Sequence, residues 1–407
     1  MGLTGWLARV AARGPRPLVV TAPFGTGARL LVEAETARRG WLPALSPAAA
    51  SVLVVCGSPG AELAELVRQA WAAVPRPRAL VRLPEPVGAA EVGESLDGAV
   101  AALGEARHDD HDETPPPQDR RERGPDDPGR HEHGSRRHGS HGHGGREPGD
   151  HRRGGREPGG HRYGGHQPGG HEHGEHARHM GGPGGLAMAT RGDDRDGLRL
   201  DRLHVPLGPI LPDWPAGLIV HTVMQGDVIQ EAGVEILPGG GRSAVPYWIE
   251  PWTSGAVTRR TGGRRRAAAR LDGLGRLLGV AGWPAAAAQA RRLRDDLLDG
   301  DGDGDGGDGV AAARGFDRLD RRVRRSRILR WMLRDVGLVD GADVLGRMER
   351  MLDDIGAALD ERVPMGGPPP PGPALDLLPG LLEGAELAQA RLIVASLDPD
   401  VERVLHA

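Results

Sequence analysis

Short apolar runs alternate with helix-like segments in the first hundred residues. The runs PLVVT at 17–21 and SVLVV at 51–55 each lead into a glycine-containing loop and then a helical pattern, and residues 78–83 form a third candidate strand. Short continuous apolar runs are typical of parallel strands, because helices cover both faces of such a sheet. The pattern therefore predicts a small parallel α/β domain at residues 1–105.

A second pattern, typical of antiparallel strands, occupies residues 197–237. A short strand near Leu200 precedes a proline-rich bend, and two β-rich runs then flank Gly226-Asp227. Glycine supplies the positive φ that two-residue hairpin turns require. We therefore predict a hairpin from about Leu218 to Leu237, inside a β-rich region at residues 186–250.

Helical periodicity dominates residues 251–407, so the C-terminal part is predicted to be α+β, with a helical bundle after the hairpin region. Pro284 fits the first turn of a helix, and Asp343 fits an N-cap. A Gly/Asp-rich stretch at 299–309 and a proline-rich stretch at 364–373 are predicted as flexible inserts. The predicted helices are 264–280, 284–298, 310–336, 343–359 and 381–396.

Glycine, histidine, arginine and proline dominate residues 106–185, which hold 14 of the 17 histidines and a ten-residue repeat that begins at Gly144. Such a composition cannot form a core, so we predict a disordered linker. Neutral imidazoles suit nickel and zinc, and close pairs of histidines make this tract a candidate metal-binding segment. A repeat-expanded spacer with incidental affinity is the favoured alternative. The candidate ligands are His131, His133, His141, His143, His171, His173, His176 and His179.

Charge and composition exclude several functions. The chain has no lysine, and its net charge of −4 gives no electrostatic reason to expect nucleic acid. The arginine-rich helix at 310–336 is interpreted as a solvated face. The single cysteine, Cys56, rules out an intrachain disulfide and a four-cysteine iron–sulfur cluster, and is interpreted as a small buried apolar residue. No run of 18 apolar residues and no signal-peptide pattern occur, which predicts a cytoplasmic protein and leaves open its docking to the inner face of a membrane.

The first glycine loop, GTGARL from Gly25 to Leu30, only partly matches a nucleotide-binding loop. Leu30 replaces the third glycine of G-x-G-x-x-G, and a phosphate-binding loop would need a lysine, which the chain lacks. This departure disfavours a nucleotide-dependent enzyme.

The β-rich region resembles the N-terminal β-region of the hydrogenase-like large subunit of respiratory complex I, which is homologous to the large subunit of nickel–iron hydrogenases. The resemblance rests on Gly208-Pro209, a short proline-containing link, Gly217, a strand and the Gly-Asp turn. In that family, histidines between the Gly-Pro and the glycine help to form the quinone pocket. Here the corresponding segment is 211–216, LPDWPA, and no histidine is present.

The segment LAQARLIVASLDPDVERV, at 387–404, resembles the closing segment of the same family. There a helix leads into Ser-x-Asp-Pro-Cys-x-x-Cys, whose cysteines hold the nickel–iron centre of hydrogenases. Asp398 and Pro399 match this motif, whereas Asp400 and Arg403 stand at the cysteine positions. The resemblance therefore implies a large-subunit scaffold without its metal ligands.

The N-terminal region resembles the cluster-bearing small subunit of complex I and hydrogenases. In that subunit a glycine- and cysteine-rich loop precedes a helix, and a later strand leads into another cysteine loop. The loop at Gly25–Ala28 and the run SVLVVCGSPGAELAELVRQAW match this arrangement, but Pro59 stands about where the family has cysteine. The resemblance implies a small-subunit scaffold from which the cluster ligands are missing.

Together these resemblances imply a fused, catalytically degenerate relative of the two subunits. Such a chain would be a structural or accessory component of an NADH–quinone oxidoreductase-type complex, would hold no cofactor, and would have subunits of a complex I-like or hydrogenase-like membrane assembly as partners. The missing ligands favour a role without catalysis. The alternative is a His-rich protein that stores or delivers nickel or zinc. The resemblance also implies that residues 1–105 and 197–407 pack against each other.

Overall fold

The N-terminal part of the chain contains a three-stranded parallel sheet. A computed structural model describes residues 14–112, 191–193, 199–240, 245–253, 255, 257–299, 307–360 and 375–406 of the 407-residue chain. The strands are β1 (Pro17–Thr21), β2 (Val52–Cys56) and β3 (Ala79–Leu83), in that order across the sheet. The helices of this part are α1 (Thr26–Arg38), α2 (Ala61–Ala73) and α3 (Ala89–Asp112).

Alternate side chains of these strands enter two separate cores. Leu18 and Leu53 lie on the face that packs with Leu63 of α2, whereas Val54 lies on the opposite face with Val32 of α1 and the buried side of α3. Because both faces are covered, every residue of β2 is buried. The predicted parallel α/β fold and its three strands are confirmed.

The second sheet is antiparallel, and its four strands follow one another in chain order. The strands are β4 (Arg191–Asp193), β5 (Arg199–Leu207), β6 (Leu218–Gln225) and β7 (Val228–Ile236). Gly226 begins the turn between β6 and β7 with a φ of 62°. The predicted hairpin is therefore confirmed, and β4 is an additional strand that the sequence pattern did not predict.

Helices form the rest of the described chain and share one core with this second sheet. The long helix α5 runs through that core, where Leu271, Leu274, Leu277 and Leu278 are fully buried. The fold class predicted for the C-terminal part is thereby confirmed. The helices are α4 (Glu250–Thr253), α5 (Arg259–Val280), α6 (Pro284–Asp299), α7 (Gly307–Arg324), α8 (Arg327–Leu333), α9 (Val344–Leu359), α10 (Leu378–Leu382), α11 (Leu387–Leu397) and α12 (Val401–His406).

Two of the predicted helices are each divided into two shorter helices in the structure. The helix predicted at 310–336 is divided into α7 and α8, because the Oγ of Ser326 accepts a hydrogen bond from the amide of Leu329 and begins a new helix. The helix predicted at 381–396 is likewise divided into α10 and α11. There Gly384 has a φ of 80° and donates a backbone hydrogen bond to Ile229 of β7.

The N-terminal and C-terminal parts share apolar packing. Ile219 of β6 and Leu237, which follows β7, belong to the core cluster formed by Leu18 and Leu53 of the parallel sheet. The amide of Gly240 also donates a hydrogen bond of 2.7 Å to the carbonyl of Ser58. The prediction that the two parts pack against each other is confirmed.

Candidate functional site

Carboxylates from elsewhere in the chain occupy the N-terminus of α1. The side chain of Glu402 accepts hydrogen bonds from the hydroxyl of Thr26 at 2.6 Å and from its amide at 3.3 Å. The side chain of Glu85 accepts from the amide of Ala28 at 2.5 Å. A helix N-terminus after a glycine loop attracts anions, because its first amides lack helical partners. Here the chain supplies those anions itself.

The tight glycine loop before α1 has a packing reason. A Cβ on Gly25 would lie 2.4 Å from the carbonyl oxygen of Cys56, so only glycine fits against the end of β2. The loop therefore brings the start of α1 close to the parallel strands.

An ion-pair network fills the contact between α1 and helices α5 and α6. Its centre is Asp272, whose side chain is 1% exposed. Arg29 of α1 donates two hydrogen bonds to the Asp272 carboxylate, at 2.8 and 3.1 Å, and Arg294 of α6 donates a third at 2.6 Å. Arg276, one turn along α5, lies 3.2 Å from the same carboxylate. The members of this network are Arg29, Glu33, Asp213, Asp272, Arg276, Arg291, Arg294, Asp295 and Asp398.

Glu33 is the second acidic centre of the network. It lies one turn after Arg29 on α1 and pairs with it at 2.8 Å, while its other oxygen pairs with Arg294 at 2.7 Å. Arg294 is completely buried, and it also pairs with its neighbour Asp295. A buried arginine requires such partners, because an uncompensated charge in the protein interior is very unfavourable.

Two segments that are distant in the sequence both contribute aspartates to the network. Asp213, from the link between Pro209 and Gly217, pairs with Arg291 of α6. Asp398, which follows α11, pairs with Arg276 of α5 at 2.5 Å. The two aspartates are about 185 residues apart in sequence, yet both bind arginines of the same helix pair.

Glycines of α5 make room for these two aspartates. A Cβ on Gly279 would lie 2.4 Å from a carboxylate oxygen of Asp213, and a Cβ on Gly273 would lie 2.4 Å from one of Asp398. Glycine inside a helix reduces its stability by roughly 1 kcal/mol relative to alanine. The glycines therefore lower the intrinsic helix propensity of α5 at the two positions where the carboxylates approach its backbone.

The central carboxylates of the network are strongly held in their charged form. Burial by itself would raise the pKa of Asp272, but Arg29, Arg276 and Arg294 outweigh it and hold that pKa well below its usual range. Burial also opposes the ionisation of Glu33, yet Arg29 and Arg294 lower its pKa to about 2. Both groups therefore remain ionised at neutral pH.

Carboxylates at the edge of the network behave in the opposite way. Burial raises the pKa of Asp295 to about 6, against the attraction of Arg294. It also raises the pKa of Asp213, against the attraction of Arg291. Near the network, burial raises the pKa of Asp400 to about 6, although the carboxylate accepts a hydrogen bond from the amide of Arg403.

The glycine loop after β2 is closed by backbone packing. Pro59 forms an isolated β-bridge with Gly239, and a Cβ on Gly60 would lie 2.6 Å from the carbonyl oxygen of Pro238. Cys56 is fully buried at the end of β2, and burial raises the pKa of its thiol far above the ordinary value. Its interpretation as a buried apolar residue is confirmed.

The eight candidate metal-binding histidines, His131 to His179, lie outside the described residues. Within the described ranges, no group of three or more histidine, cysteine, aspartate or glutamate side chains is arranged to hold a metal ion. In that same part of the chain, no helix combines the length and apolarity needed to cross a membrane.

Sequence reasoning did not find the centre of the network. Arg29, Glu33, Asp272 and Arg294 lie on three helices, and nothing in their local sequence shows which charges meet. One usable signal was present, since Asp272 is enclosed by Leu271 and Leu274 on a helix with glycines at 273, 275 and 279. A charge within an apolar stretch beside several helical glycines indicates a buried polar contact.

Comparisons with known proteins give limited results. No protein-family model and no curated protein matches this chain. Among solved structures, it is similar to a chain from the structure of the membrane-bound sulfane sulfur reductase, described as an archaeal respiratory membrane complex. The match has 15% identity and a TM-score of 0.36, and it covers 50% of this chain and 99% of the other. The role of the chain is therefore inferred from its own residues and contacts.

Proposed function

We propose that this chain is a structural or accessory component of a complex I-like respiratory assembly, in which a small-subunit-like part and a large-subunit-like part are fused and have lost their catalytic ligands. The observation that carries this proposal is the pairing of Asp213 with Arg291 and of Asp398 with Arg276. The two segments that resemble the cofactor-binding regions of the family thus lie against the same pair of helices, α5 and α6. Arginines of those helices pair with both carboxylates.

Three neighbouring positions support the same proposal. At the α1 loop, Glu402 and Glu85 take the free helix amides. At the second loop, the backbone around Gly239 packs against Pro59. At the nickel–iron-like motif, Asp400 caps the start of α12 by accepting from the amide of Arg403. At each position, hydrogen bonding or packing within the chain replaces the contacts that a cofactor would make.

The network gives this closed arrangement a mechanical role. Arg29 and Glu33 belong to the N-terminal part, whereas Asp272 and Arg294 belong to the C-terminal part, so their ion pairs join the two halves. Removing one partner from a buried ion pair typically destabilises a protein by about 3–5 kcal/mol. A chain locked in this way would offer partner subunits a rigid surface.

Affinity purification of the full-length chain from its own host would test this function. We expect membrane and peripheral subunits of a complex I-like assembly to co-purify, and we expect the purified chain to carry neither an iron–sulfur cluster nor a nickel–iron centre. A matched purification of Asp272→Ala should recover fewer partner subunits, because the two halves are no longer locked.

Two results would contradict the proposal. Co-purification of metal transporters or metallocentre-maturation proteins in place of respiratory subunits would favour nickel or zinc delivery. Stoichiometric iron and sulfide bound to the isolated chain would show that it is not a cofactor-free relative.

A further inference from the structure

Helix α8 exposes two large apolar side chains. Ile328 is 77% exposed and Trp331 is 80% exposed, while Leu329 and Leu333 of the same helix are buried in the core. Residues three apart lie on the same side of a helix, so Ile328 and Trp331 project together. Single exposed apolar residues are common, but a tryptophan beside an isoleucine on one short helix is a feature to explain.

Arginines surround this apolar pair. Residues 321–334 contain seven arginines and no aspartate or glutamate. Arg324 and Arg330 pair with carboxylates of α7 and α9. In contrast, Arg325, Arg327 and Arg334 are exposed and form no ion pair within the described part of the chain. Exposed Asp335 directly follows Arg334, so the surface around Ile328 and Trp331 carries a net positive charge from three arginines and one aspartate.

We propose that this α8 surface, formed by Arg325, Arg327, Ile328, Trp331 and Arg334, docks onto an anionic lipid bilayer. Tryptophan is favoured at the boundary between headgroups and acyl chains, because its ring is apolar and its N–H is polar. Arginines beside it attract anionic headgroups, and such basic, apolar surfaces bind membranes without spanning them.

The size of the apolar surface favours a lipid surface over a protein partner. A stable protein interface typically buries about 800 Å² on each side around an apolar, charge-poor core. The α8 surface instead has two apolar side chains within a group of cations. A bilayer accepts such a surface, since it provides many anionic headgroups and a shallow apolar layer at once.

Vesicle co-sedimentation of the full-length chain would test this proposal. The assay compares phosphatidylcholine vesicles with and without phosphatidylglycerol, at about pH 8 with a chelator, so that the histidine tract is neutral and free of metal. We expect binding to the anionic vesicles only, and we expect added salt to weaken it, because salt screens exposed charges.

Two variants separate the contributions of charge and apolar contact. Each arginine near an anionic surface contributes about fivefold to binding, so Arg325→Gln/Arg327→Gln/Arg334→Gln should weaken partitioning roughly a hundredfold. Ile328→Ser/Trp331→Ser should weaken it roughly tenfold to a hundredfold, because the shallow apolar layer buries about half of each side chain. These side chains are exposed, so both variants should keep the unfolding transition of the parent chain.

A matched control removes the same charge from another surface. Arg16, Arg76 and Arg82 are exposed on the N-terminal part, and their replacement by glutamine should leave vesicle binding unchanged. Equal losses in the control and the α8 variants would overturn the proposal, as would an absence of binding to anionic vesicles. Binding of an oligonucleotide or an acidic protein through these residues, without vesicle binding, would also overturn it. The assay uses purified chain alone, so its outcome is independent of the respiratory partners proposed above.

Discussion

At the scale of single residues, Asp272 is the most deeply buried carboxylate of the ion-pair network. It is nearly fully buried, and it contacts three arginines that come from both halves of the chain. Buried ion pairs contribute little net stability compared with apolar packing, yet they are very sensitive to the loss of one partner. The network is therefore expected to add little stability compared with apolar residues in its place, whereas removal of Asp272 alone should be strongly destabilising.

Replacement of Asp272 by alanine should leave the buried guanidinium of Arg294 and the partly buried ones of Arg29 and Arg276 without their shared carboxylate. We expect the free energy of unfolding to fall by about 3–5 kcal/mol, as measured by urea denaturation. The matched control is Asp353→Ala, which removes an aspartate that is 70% exposed and pairs with Arg324 at the surface. That change should lower stability by less than about 1 kcal/mol. Similar losses in both variants would show that the network is not an energetic centre.

The raised pKa of Asp400 predicts an unusual dependence of stability on pH. Its pKa is about 6 in the folded protein, against about 3.9 in an unfolded chain. Between these values the folded state binds more protons, so stability falls as pH rises from about 4 to 6. The raised pKa of Asp295 has the same effect. The lowered pKa values of Glu33 and Asp272 act in the opposite sense, so their contribution to stability is lost only when the pH falls below about 4.

Denaturation at a series of pH values would measure this effect. We expect the parent chain to be more stable near pH 5 than near pH 7, and we expect Asp400→Asn to reduce the difference, because asparagine cannot ionise. Asp376→Asn, at an exposed aspartate, serves as the control and should preserve the parent profile. An unchanged profile in Asp400→Asn would assign the pH dependence to other groups.

At the scale of elements, the main contrast lies between the packed helices and the predicted linker. Helix α5 is buried along most of its length and packs with α6, α9 and α11. In the sequence of the His-rich linker, by comparison, Ala106, Tyr163, Ala177 and Met180 are the only aliphatic or aromatic residues apart from proline, too few for a core. The linker should therefore be dispensable for folding, and its histidine side chains should serve mainly as metal ligands.

Deletion of residues 114–182 tests both properties of the linker. We expect the thermal transition to stay within a few degrees of the parent, because the composition of the segment offers too few apolar residues to bury. We also expect isothermal titration of the parent with nickel or zinc to show several equivalents that are absent after deletion, with weaker binding below about pH 6. Loss of cooperative unfolding would show that the tract is structural, and retained metal binding would place the ligands elsewhere.

At the scale of the whole molecule, the two halves share a core as well as ion pairs. Ile219 and Leu237 come from the C-terminal part, yet they are buried against Leu18 and Leu53 of the parallel sheet. The core of the N-terminal α/β unit includes apolar residues from the C-terminal part. The unit is therefore not expected to unfold independently of the C-terminal part.

Leu237→Ala should therefore weaken both halves together. We expect a loss of about 2–5 kcal/mol, typical of a leucine removed from a core, and a single unfolding transition followed by both tryptophan fluorescence and far-ultraviolet circular dichroism. Leu203→Ala provides the control, since that leucine on β5 is 46% exposed and its truncation should cost far less. Two separate transitions in the Leu237 variant would mean that the halves fold independently.

The sequence by itself determined the local elements of this protein. The apolar runs of β1 and β2, the Gly226-Asp227 turn and the N-cap at Asp343 were predicted correctly, and the Asp343 carboxylate accepts a 2.8 Å hydrogen bond from the amide of Gly346. These features depend on neighbouring residues, because backbone geometry and capping act over a few positions. The same locality explains the error at 310–336, where a serine cap divided a pattern that is helical on both sides.

Only the tertiary structure decided which charges are buried and which apolar residues stay exposed. Arg29 and Asp272 are 243 positions apart, and no periodicity links them. Trp331 lies two positions from both Leu329 and Leu333, so it falls on the opposite side of α8 and is left in solvent when those leucines enter the core. Burial depends on which surfaces meet when distant segments pack, and that is a property of the assembled chain. The ion-pair network and the α8 surface therefore follow from the arrangement of the helices, which local sequence patterns do not specify.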